Sequence, residues 1–403
     1  MKVLLVNKFL FPKGGAETYV FDVGKMLEEH GHEVQFFGLE NPKNTVGNHI
    51  EKYVTDMDFS KGIKANLNAP FRIVYSVEAR RKICAVLDDF MPDVVHLNNI
   101  QYHLTPSIIL EIKKWRHKTG RECRIIYTAH DYQLICPSHG LFDSNIIPCE
   151  KCLDGHYIHC FTTKCLKKSR AKSLLGTLDG YFWKYNSAYS YVDAYICCSY
   201  FLKSKLDTQS RFRNKTVGLH NFKKEIPRLN DVHKKGYVLE FGHLSKDKGT
   251  ETLLEVAKRM PEQEFIFVGY GASTEKMKDI PNVKYLGFKT GEELYRIVAE
   301  AAVSVCPSEW YENCPYSVME SISLETPVIG ARIGGIPELI DEGINGELFE
   351  AGNSVELEAA LKKVLYTPGM LDKYTIGCSM AKYETPESYY LKLMNIYGEN
   401  NAE

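Results

Sequence analysis

The first 37 residues decide the fold class, and their sequence is MKVLLVNKFLFPKGGAETYVFDVGKMLEEHGHEVQFF. A short apolar run, Val3–Val6, is followed by a glycine turn and then by an amphipathic stretch over Ala16–His30 that Gly31 ends. A second apolar run follows at Glu33–Phe37. A strand, a helix and a strand in this order predict a βαβ unit with parallel strands buried on both faces.

The same alternation continues through the first half of the chain. Each further strand candidate has the few apolar residues expected of a buried parallel strand, and helical stretches such as Pro106–Lys118 lie between them. These strand candidates are Asp93–Leu97, Arg124–Thr128 and Ala194–Cys197. The pattern predicts an α/β domain with a doubly wound parallel sheet.

A polar segment without periodicity, residues 221–235, separates this series from a second one and is the predicted linker. The chain is also too long for one ordinary core. We therefore expect a Rossmann-like domain at 1–220, a second at 236–385, a C-terminal helix within 386–403, and a ligand cleft between the two domains. The strand candidates of the second domain are Tyr237–Phe241, Phe265–Val268, Val283–Tyr285, Val303–Cys306 and Val328–Ile329.

Composition is ordinary for a soluble protein, with 44% hydrophobic and 25% charged residues, and it contains no run of ~20 apolar residues that could cross a bilayer. The apolar run at Val3 leaves no room for a secretory signal, so a cytoplasmic location is expected. Residues 1–220 carry 30 Lys/Arg against 22 Asp/Glu, and residues 221–403 carry 20 against 29. This asymmetry indicates either an anionic partner for the first half or a dipolar composition without one. A nucleic acid is not expected as that partner.

The most informative passage is residues 307–331, PSEWYENCPYSVMESISLETPVIGA. Asn313 is the predicted N-cap of a helix that runs to about Leu324, with Pro315 near its first turn. The amino end of such a helix has free N–H groups and a partial positive charge, which favour a phosphate. Glu312 precedes the helix and Glu320 lies in its second turn, so the two carboxylates would contact different parts of one ligand.

Four ordered motifs carry a resemblance. The spacing E-x7-E of Glu312 and Glu320 is followed by GGIPELI at residues 334–340. The other motifs are PKGGAE at residues 12–17, FGHLSKDKG at residues 241–249 and VGYG at residues 268–271. In this order and spacing the chain resembles glycosyltransferase family 4, whose members have the GT-B fold of two Rossmann-like domains.

The resemblance implies a role for each matching position of the second domain. Glu312 would contact the donor sugar near the reacting carbon, and Glu320 would accept hydrogen bonds from the ribose. Lys248 would neutralise the diphosphate, and the backbone around Tyr316 and Ser317 would add N–H donors. Such fixed donors stabilise the charge that develops on the leaving phosphate.

In the first domain the resemblance assigns Gly14 and Gly15 to the same end of the donor, because a backbone without side chains can approach a ligand closely. His130 matches a family histidine that faces the donor sugar; the alternative is a histidine satisfied at a strand end. The sequence departs from the family at His243, where arginine is usual. Since histidine is only partly protonated near neutral pH, the diphosphate contact would depend on Lys248 or on another base such as Arg332.

The implied reaction is transfer of a sugar, with retention of configuration, from a UDP-sugar or GDP-sugar to a hydroxyl of a glycan or a lipid-linked acceptor. No cofactor or catalytic metal is required for it. The first alternative is a nucleotide-sugar epimerase or hydrolase of the same fold. An NAD-dependent dehydrogenase is disfavoured because no G-x-G-x-x-G follows the first strand. The third alternative is a zinc-organised interaction protein without catalysis.

Two close cysteine pairs lie in a segment at about 136–166 that lacks core-forming periodicity. The spacings Cys149-x2-Cys152 and Cys160-x4-Cys165 are typical of a structural zinc site. A disulfide and plain thiols are the alternatives. Such a site would order the segment, which could also form a wall or lid over the cleft.

A basic cluster follows the cysteines, and a cluster of aromatic residues follows the basic one. Together they suit docking on an anionic membrane surface, at the inner face of the membrane, where a lipid-linked acceptor would lie. The alternative is a solvated helix start followed by an aromatic core face. The residues are Lys164, Lys167, Lys168, Arg170, Lys172, Tyr181, Phe182, Trp183, Tyr185, Tyr189 and Tyr191.

Overall fold

The computed structural model describes residues 1–56, 69–145, 147–223, 226 and 229–398. The chain divides into two compact units. Unit 1 consists of Met1–Leu219 together with Glu387–Glu403, and unit 2 consists of His220–Pro386. Each unit has a sheet of its own.

The sheet of unit 1, within the described residues, has six parallel strands in the order β2-β1-β3-β4-β5-β6. Its strands are β1 (Lys2–Val6), β2 (Glu33–Phe37), β3 (Val94–Leu97), β4 (Arg124–Ala129), β5 (Ala194–Cys197) and β6 (Thr216–Gly218). Its helices up to the unit boundary are α1 (Gly15–Glu29), α2 (Ala69–Val74), α3 (Val77–Phe90), α4 (Ser107–Thr119), α5 (Ile158–Thr163), α6 (Arg170–Asn186) and α7 (Tyr200–Leu206). A short 3-10 helix covers Ala188–Tyr191.

The sheet of unit 2 also has six parallel strands, in the order β12-β11-β10-β7-β8-β9. The strands are β7 (Val238–His243), β8 (Phe265–Tyr270), β9 (Val283–Tyr285), β10 (Val303–Cys306), β11 (Val328–Ala331) and β12 (Gly346–Phe349). The helices are α8 (Thr250–Arg259), α9 (Gly291–Glu300), α10 (Tyr316–Ser323), α11 (Ser354–Tyr366) and α12 (Met370–Ser379), with 3-10 turns at Thr274–Met277 and Ile336–Glu338. Among the described residues, no helix combines the length and apolarity that a membrane crossing would need.

Burial explains why the central strands are parallel and covered on both faces. The four residues Val3–Val6 of β1 are at most 1% exposed, although successive side chains of a strand point to opposite faces. Helices must therefore lie on both sides of the sheet. The predicted α/β class with two doubly wound parallel sheets is confirmed.

Two details of the prediction are wrong. The edge strands β6 and β12 were not predicted, because each has too few apolar residues to show a strand pattern. The helix after β10 begins at Tyr316, with Pro315 and not Asn313 at the N-cap position. Pro315 has an extended backbone (φ −67°, ψ 119°) and no N–H group, so it starts the helix without a side-chain cap.

The last helix, α13 (Pro386–Tyr397), lies within residues 386–403, and nearly all of it belongs to unit 1 although it follows unit 2 in the chain. Its residues Tyr389, Leu393, Met394 and Tyr397 are buried. The core of unit 1 therefore contains side chains from both ends of the sequence.

A buried chain of hydrogen bonds ties α13 to the sheet of unit 1. The Tyr19 hydroxyl lies 2.7 Å from the Tyr389 hydroxyl and 3.1 Å from Thr128 Oγ1. His96 lies between Thr128 Oγ1, at 2.6 Å from Nε2, and the Tyr397 hydroxyl, at 2.7 Å from Nδ1. Burial lowers the pKa of His96 to about 3, so this imidazole is neutral at neutral pH.

We expect Tyr19→Phe to destabilise unit 1 by about 1–3 kcal/mol, because it removes the two buried hydrogen bonds between the Tyr19 hydroxyl and the hydroxyl groups of Thr128 and Tyr389. Hydrogen exchange of the α13 amides should then be faster than in the wild type. Tyr366→Phe, at an exposed position of α11, is the control and should change nothing. Unchanged exchange in Tyr19→Phe would contradict the role of this network.

Candidate functional site

The sheet of unit 2 has a topological switch point between β7 and β10. From β7 the order continues to β8, and from β10 it continues in the opposite direction to β11. Ligands of open parallel sheets bind at the carboxyl edge of such a point. The segments that leave this edge are Leu244–Gly249 after β7 and Pro307–Pro315 after β10, and they hold several of the predicted donor-binding residues.

Lys248 and Glu312 form an ion pair. From the sequence, they were expected to contact different parts of the donor. Lys248 Nζ lies 2.5 Å from Glu312 Oε1 and 4.3 Å from the centre of the Trp310 ring. Ser308 Oγ donates to the same carboxylate oxygen at 3.4 Å. The side chains of Lys248 and Glu312 are 24% and 13% exposed, so the ion pair is partly shielded and still accessible. Trp310 and Ser308 were not predicted as site residues.

Close packing holds the two segments together. Gly249 has a positive φ of +76°, and a Cβ atom there would lie 1.8 Å from the Pro307 carbonyl oxygen. The Glu309 N–H donates to the Asp247 carbonyl at 3.0 Å. The Thr252 hydroxyl donates a hydrogen bond to Glu309 Oε1 at 2.6 Å. Only glycine fits at position 249.

The GGIPELI motif contacts the backbone of Glu312. The Gly335 N–H donates to the Glu312 carbonyl at 2.7 Å. Gly334 has φ +60°, and a Cβ atom there would lie 2.2 Å from the same carbonyl oxygen. These glycines therefore allow the backbone of Glu312 to be fixed, which orients its side chain.

Helix α10 supplies the remaining predicted residues of unit 2. Tyr316 and Ser317 are its first two residues, and the partly exposed Glu320 lies in its second turn. The first turn of a helix presents N–H groups that have no partner within the helix. Ser321 and Ser304 share a buried hydrogen bond of 2.7 Å, which anchors α10 to β10.

His243 is the last residue of β7 and lies beside aromatic residues that sequence analysis did not select. Its ring contacts Tyr270 edge to face at 5.3 Å, and Tyr270 contacts Phe288 at 5.7 Å. Tyr270 is 50% exposed and Phe288 is 64% exposed. The signal for Tyr270 was its place within the VGYG motif. These rings form an exposed aromatic surface at the carboxyl edge of β7 and β8.

Glu240, in the middle of β7, is a buried acid that the sequence did not point to. Thr250, the first residue of α8, donates to Glu240 Oε1 at 2.7 Å, and Oε2 has no hydrogen-bond partner within the described residues. Burial raises the pKa of Glu240 to about 8. The carboxyl group is therefore largely protonated at neutral pH.

The raised pKa of Glu240 makes the stability of unit 2 depend on pH. The unfolded chain releases this proton near pH 4.5 and the folded chain near pH 8, so stability should fall as the pH rises between these values. Glu240→Gln mimics the protonated acid and should remove this slope, which is about 1.4 kcal/mol per pH unit at most. Urea unfolding at pH 5, 7 and 9 measures it, with the exposed Glu292→Gln as control. Equal slopes in Glu240→Gln and wild type would refute the assignment.

In unit 1, His130 lies at the carboxyl end of β4. Its Nε2 is 2.9 Å from Asn98 Oδ1, and its ring contacts the Tyr19 ring at 4.9 Å. Burial lowers the pKa of His130 to about 3, so the imidazole is neutral at neutral pH. It can exchange hydrogen bonds with a sugar hydroxyl but does not supply a positive charge.

Gly14 and Gly15 lie at the amino end of α1, where Gly14 is the N-cap residue and both are exposed. The backbone of Gly14 is extended, and a Cβ atom there would make only an ordinary contact of 3.6 Å with Glu17. Packing within unit 1 therefore does not require glycine at position 14. Asn7 donates to Glu17 at 3.2 Å and fixes the start of the helix.

The structure brings three of the four predicted zinc ligands into one small core. Cys152 and Cys160 are buried, Cys165 packs against them, and the Sγ atoms of Cys160 and Cys165 are 2.8 Å apart. Cys149 is half-buried and is not part of that core. Over the described ranges, no three His, Cys, Asp or Glu side chains are placed so that they could hold a metal ion. Zinc therefore stays a prediction.

Solved structures identify the fold. The chain matches the Anabaena protein HepE, crystallised with UDP, with a TM-score of 0.68 and 16% identity over 99% of this chain and 100% of that one. Another HepE structure, with a TM-score of 0.62, holds UDP-glucose and is matched over 99% of both chains at 16% identity. The two doubly wound sheets are those of the GT-B fold of glycosyltransferases.

Sequence comparison gives the particular family. A family model described as Glycosyltransferase Family 4 matches residues 13–222, and one described as Glycosyl transferases group 1 matches residues 221–376. The chain belongs to glycosyltransferase family 4, and it is a glycosyltransferase.

Two relatives extend this comparison. An uncharacterized 42.6 kDa protein in the cps region of Klebsiella pneumoniae is 24% identical over 362 residues, which are 84% of this chain and 87% of the relative. The amylovoran biosynthesis glycosyltransferase AmsK of Erwinia amylovora is 27% identical over 164 residues, which are 37% of this chain and 40% of that protein.

Proposed function

We propose that the chain transfers a sugar from a nucleotide diphosphate sugar to an acceptor hydroxyl, with retention of configuration. The observation that carries the proposal is the accessible Lys248–Glu312 pair at the switch point of unit 2. The Lys248 ammonium group, the Glu312 carboxylate and the amino end of α10 all lie in segments that follow the carboxyl ends of β7 and β10. This is the combination that a diphosphate linked to a sugar requires.

Each residue of this edge has a separate task. The diphosphate contacts Lys248 and the N–H groups of Tyr316 and Ser317. Gly14 and Gly15 of unit 1 are also proposed to bind the donor. Glu320 accepts hydrogen bonds from the ribose, and Glu312 accepts them from the donor sugar. In the free chain Glu312 holds the Lys248 ammonium in place, so the cation is already oriented when the donor binds.

The donor is a UDP-sugar or a GDP-sugar. The UDP and UDP-glucose in the HepE structures favour the first of these. The exposed rings of Tyr270 and Phe288 add a surface on which a nucleobase can stack. His243 contacts Tyr270 and would lie at the diphosphate end, where it is a weaker cation than arginine.

The main task of the enzyme in this reaction is to stabilise the negative charge that develops on the leaving phosphate. As the bond from the anomeric carbon to the phosphate oxygen breaks, negative charge builds on the diphosphate, and Lys248 and the α10 amides stabilise it. The leaving phosphate accepts the proton of the acceptor hydroxyl on the same face of the sugar. His130 is neutral and orients a hydroxyl of the donor sugar. A protein nucleophile and a catalytic metal are not needed in this scheme.

The acceptor is a hydroxyl of a glycan or of a lipid-linked glycan. The Erwinia relative is named for amylovoran biosynthesis, and this supports polysaccharide or glycolipid synthesis as the process. A cytoplasmic location with peripheral contact at the inner face of the membrane belongs to the same proposal.

Lys248→Ala and Glu320→Ala should each weaken UDP binding by about 10- to 100-fold, because each removes a hydrogen bond to a charged group. Isothermal titration with UDP measures this. Lys278→Ala and Glu292→Ala, at exposed positions of unit 2, are the matched controls and should bind like the wild type. Wild-type affinity in both site variants would refute the donor site.

The alternative activities are distinguished by the products. A transferase releases nucleotide faster when acceptor is present, whereas a hydrolase releases it equally with water alone and an epimerase releases none. The anomeric configuration of the glycoside, determined by NMR, tests retention.

The cysteine cluster is proposed to hold a structural zinc ion. If it does, purified protein should contain about one zinc per chain, and Cys160→Ser/Cys165→Ser should lose the metal and the order of this segment. Elemental analysis measures the metal. Cys84→Ser is the control because Cys84 lies on α3 and outside this cluster. Zinc-free wild-type protein, purified without chelators, would leave the cysteines as plain thiols or a disulfide.

A further inference from the structure

Helix α6 presents an apolar stripe to solvent. Leu174, Leu178, Phe182 and Tyr185 follow one another at intervals of four, four and three residues, so they lie on one face of the helix. They are 44%, 54%, 37% and 77% exposed. A surface helix normally has polar residues at such positions, and an exposed apolar stripe of this length is typical of an interaction site.

The structural alternative for this region, an aromatic core face, holds for some of its residues. Trp183 and Tyr189 are buried and form a core face, as the structural alternative expects. Phe182 and Tyr185 point outward. Their rings are held by neighbours, since Phe182 contacts Trp183 at 4.8 Å and Tyr185 stacks on Tyr181 at 6.1 Å. The exposed rings therefore have fixed positions.

The stripe continues on the neighbouring helix. Helix α2 packs against α6, and Phe71 of α2 is 79% exposed. Tyr75, which follows α2, stacks on Trp183 at 6.0 Å and contacts Phe182 at 6.3 Å. The stripe and Phe71 are together called the α6 surface.

The sequence in and around α6 carries an excess of basic residues. Residues 155–192 contain six Lys/Arg and a single acid, Asp179. Asp179 is buried and accepts a hydrogen bond from Trp183 Nε1 at 3.0 Å, so it does not offset the basic charge at the surface. Five of the basic side chains are exposed, and none of them forms an ion pair in the part of the chain that the structure describes. These five are Lys164, Lys167, Lys168, Arg170 and Lys172.

We propose that the α6 surface docks on an anionic lipid bilayer. Leu174, Leu178 and Phe182 would enter the boundary between headgroups and acyl chains, and the basic cluster would contact lipid phosphates. An amphipathic helix with an apolar face and Lys/Arg beside it lies in the membrane interface in this way. These residues would form the peripheral membrane contact that is part of the proposed function. Membrane docking depends on the proposed function only for the identity of the acceptor.

A second copy of the chain is a poorer occupant. In a two-fold symmetric dimer it would present the same basic surface, so the five basic residues of one copy would face those of the other. A bilayer with anionic headgroups supplies both an apolar layer and negative charge.

Flotation of the full chain with vesicles tests the proposal. We expect binding to phosphatidylcholine vesicles that contain about 30% phosphatidylglycerol, and little binding to phosphatidylcholine alone. Raising the salt from about 0.1 M to about 0.5 M should release most of the bound protein, because the Debye length shortens.

Two variants test separately the apolar contribution and the electrostatic contribution to vesicle binding. Leu174→Glu/Leu178→Glu and Lys167→Glu/Lys168→Glu should each reduce the bound fraction by about tenfold or more. The controls are Val355→Glu, at an exposed apolar position of α11, and Lys258→Glu/Lys382→Glu, at exposed positions of unit 2. Both controls should bind vesicles like the wild type.

Each outcome decides the proposal. Equal vesicle binding by Leu174→Glu/Leu178→Glu and wild type would overturn it, as would failure of the wild type to bind anionic vesicles. A wild-type dimer in light scattering that Leu174→Glu/Leu178→Glu converts to a monomer, without vesicle binding, would assign the surface to a second copy. UDP binding is measured on every variant and should not change, so failure of the donor site and failure of the membrane surface are distinguishable.

Discussion

The ion pair between Lys248 and Glu312 is the interaction on which the rest of the candidate site depends. It joins the segment after β7 to the segment after β10, at the point where the strand order of unit 2 reverses. Two opposite charges that are partly removed from water attract each other more strongly than they would at the surface. Gly249 and Gly334 allow the backbones to approach closely enough for the pair to form. The pair thus fixes the Lys248 ammonium group at the edge of the sheet where the proposed donor site lies.

Much of the fold follows from local sequence. The run Val3–Val6 and the helical period after it were sufficient to predict a parallel α/β sheet, because buried strands and amphipathic helices leave distinct patterns. The short edge strands β6 and β12 were missed, since three or four residues with few apolar side chains give no such pattern. The start of α10 was placed too early because Asn313 is a good capping residue and the effect of Pro315 was underestimated.

The sequence was sufficient to select individual residues of the candidate site but not to show which of them contact one another. Lys248 and Glu312 were both selected, yet they are 64 residues apart in the sequence and only the folded sheet shows that they pair. Glu240 has no sequence signal, because its protonation results from burial between strands. His130 and Glu240 share a property here. Burial keeps His130 neutral and Glu240 largely protonated at neutral pH, so His130 adds no positive charge to that of Lys248 and the helix amides, and Glu240 adds no negative charge.

Helix α13 has a consequence for how the chain folds during synthesis. Because its residues complete the core of unit 1, unit 2 is an insertion between two parts of one folding unit. Tyr19 bonds to Tyr389, which is synthesised 370 residues later, and His96 bonds to Tyr397, which is synthesised 301 residues later. Unit 2 has all its strands before that moment and can fold first. We therefore expect the core of unit 1 to be completed only after unit 2 has been synthesised, although most of unit 1 is synthesised first.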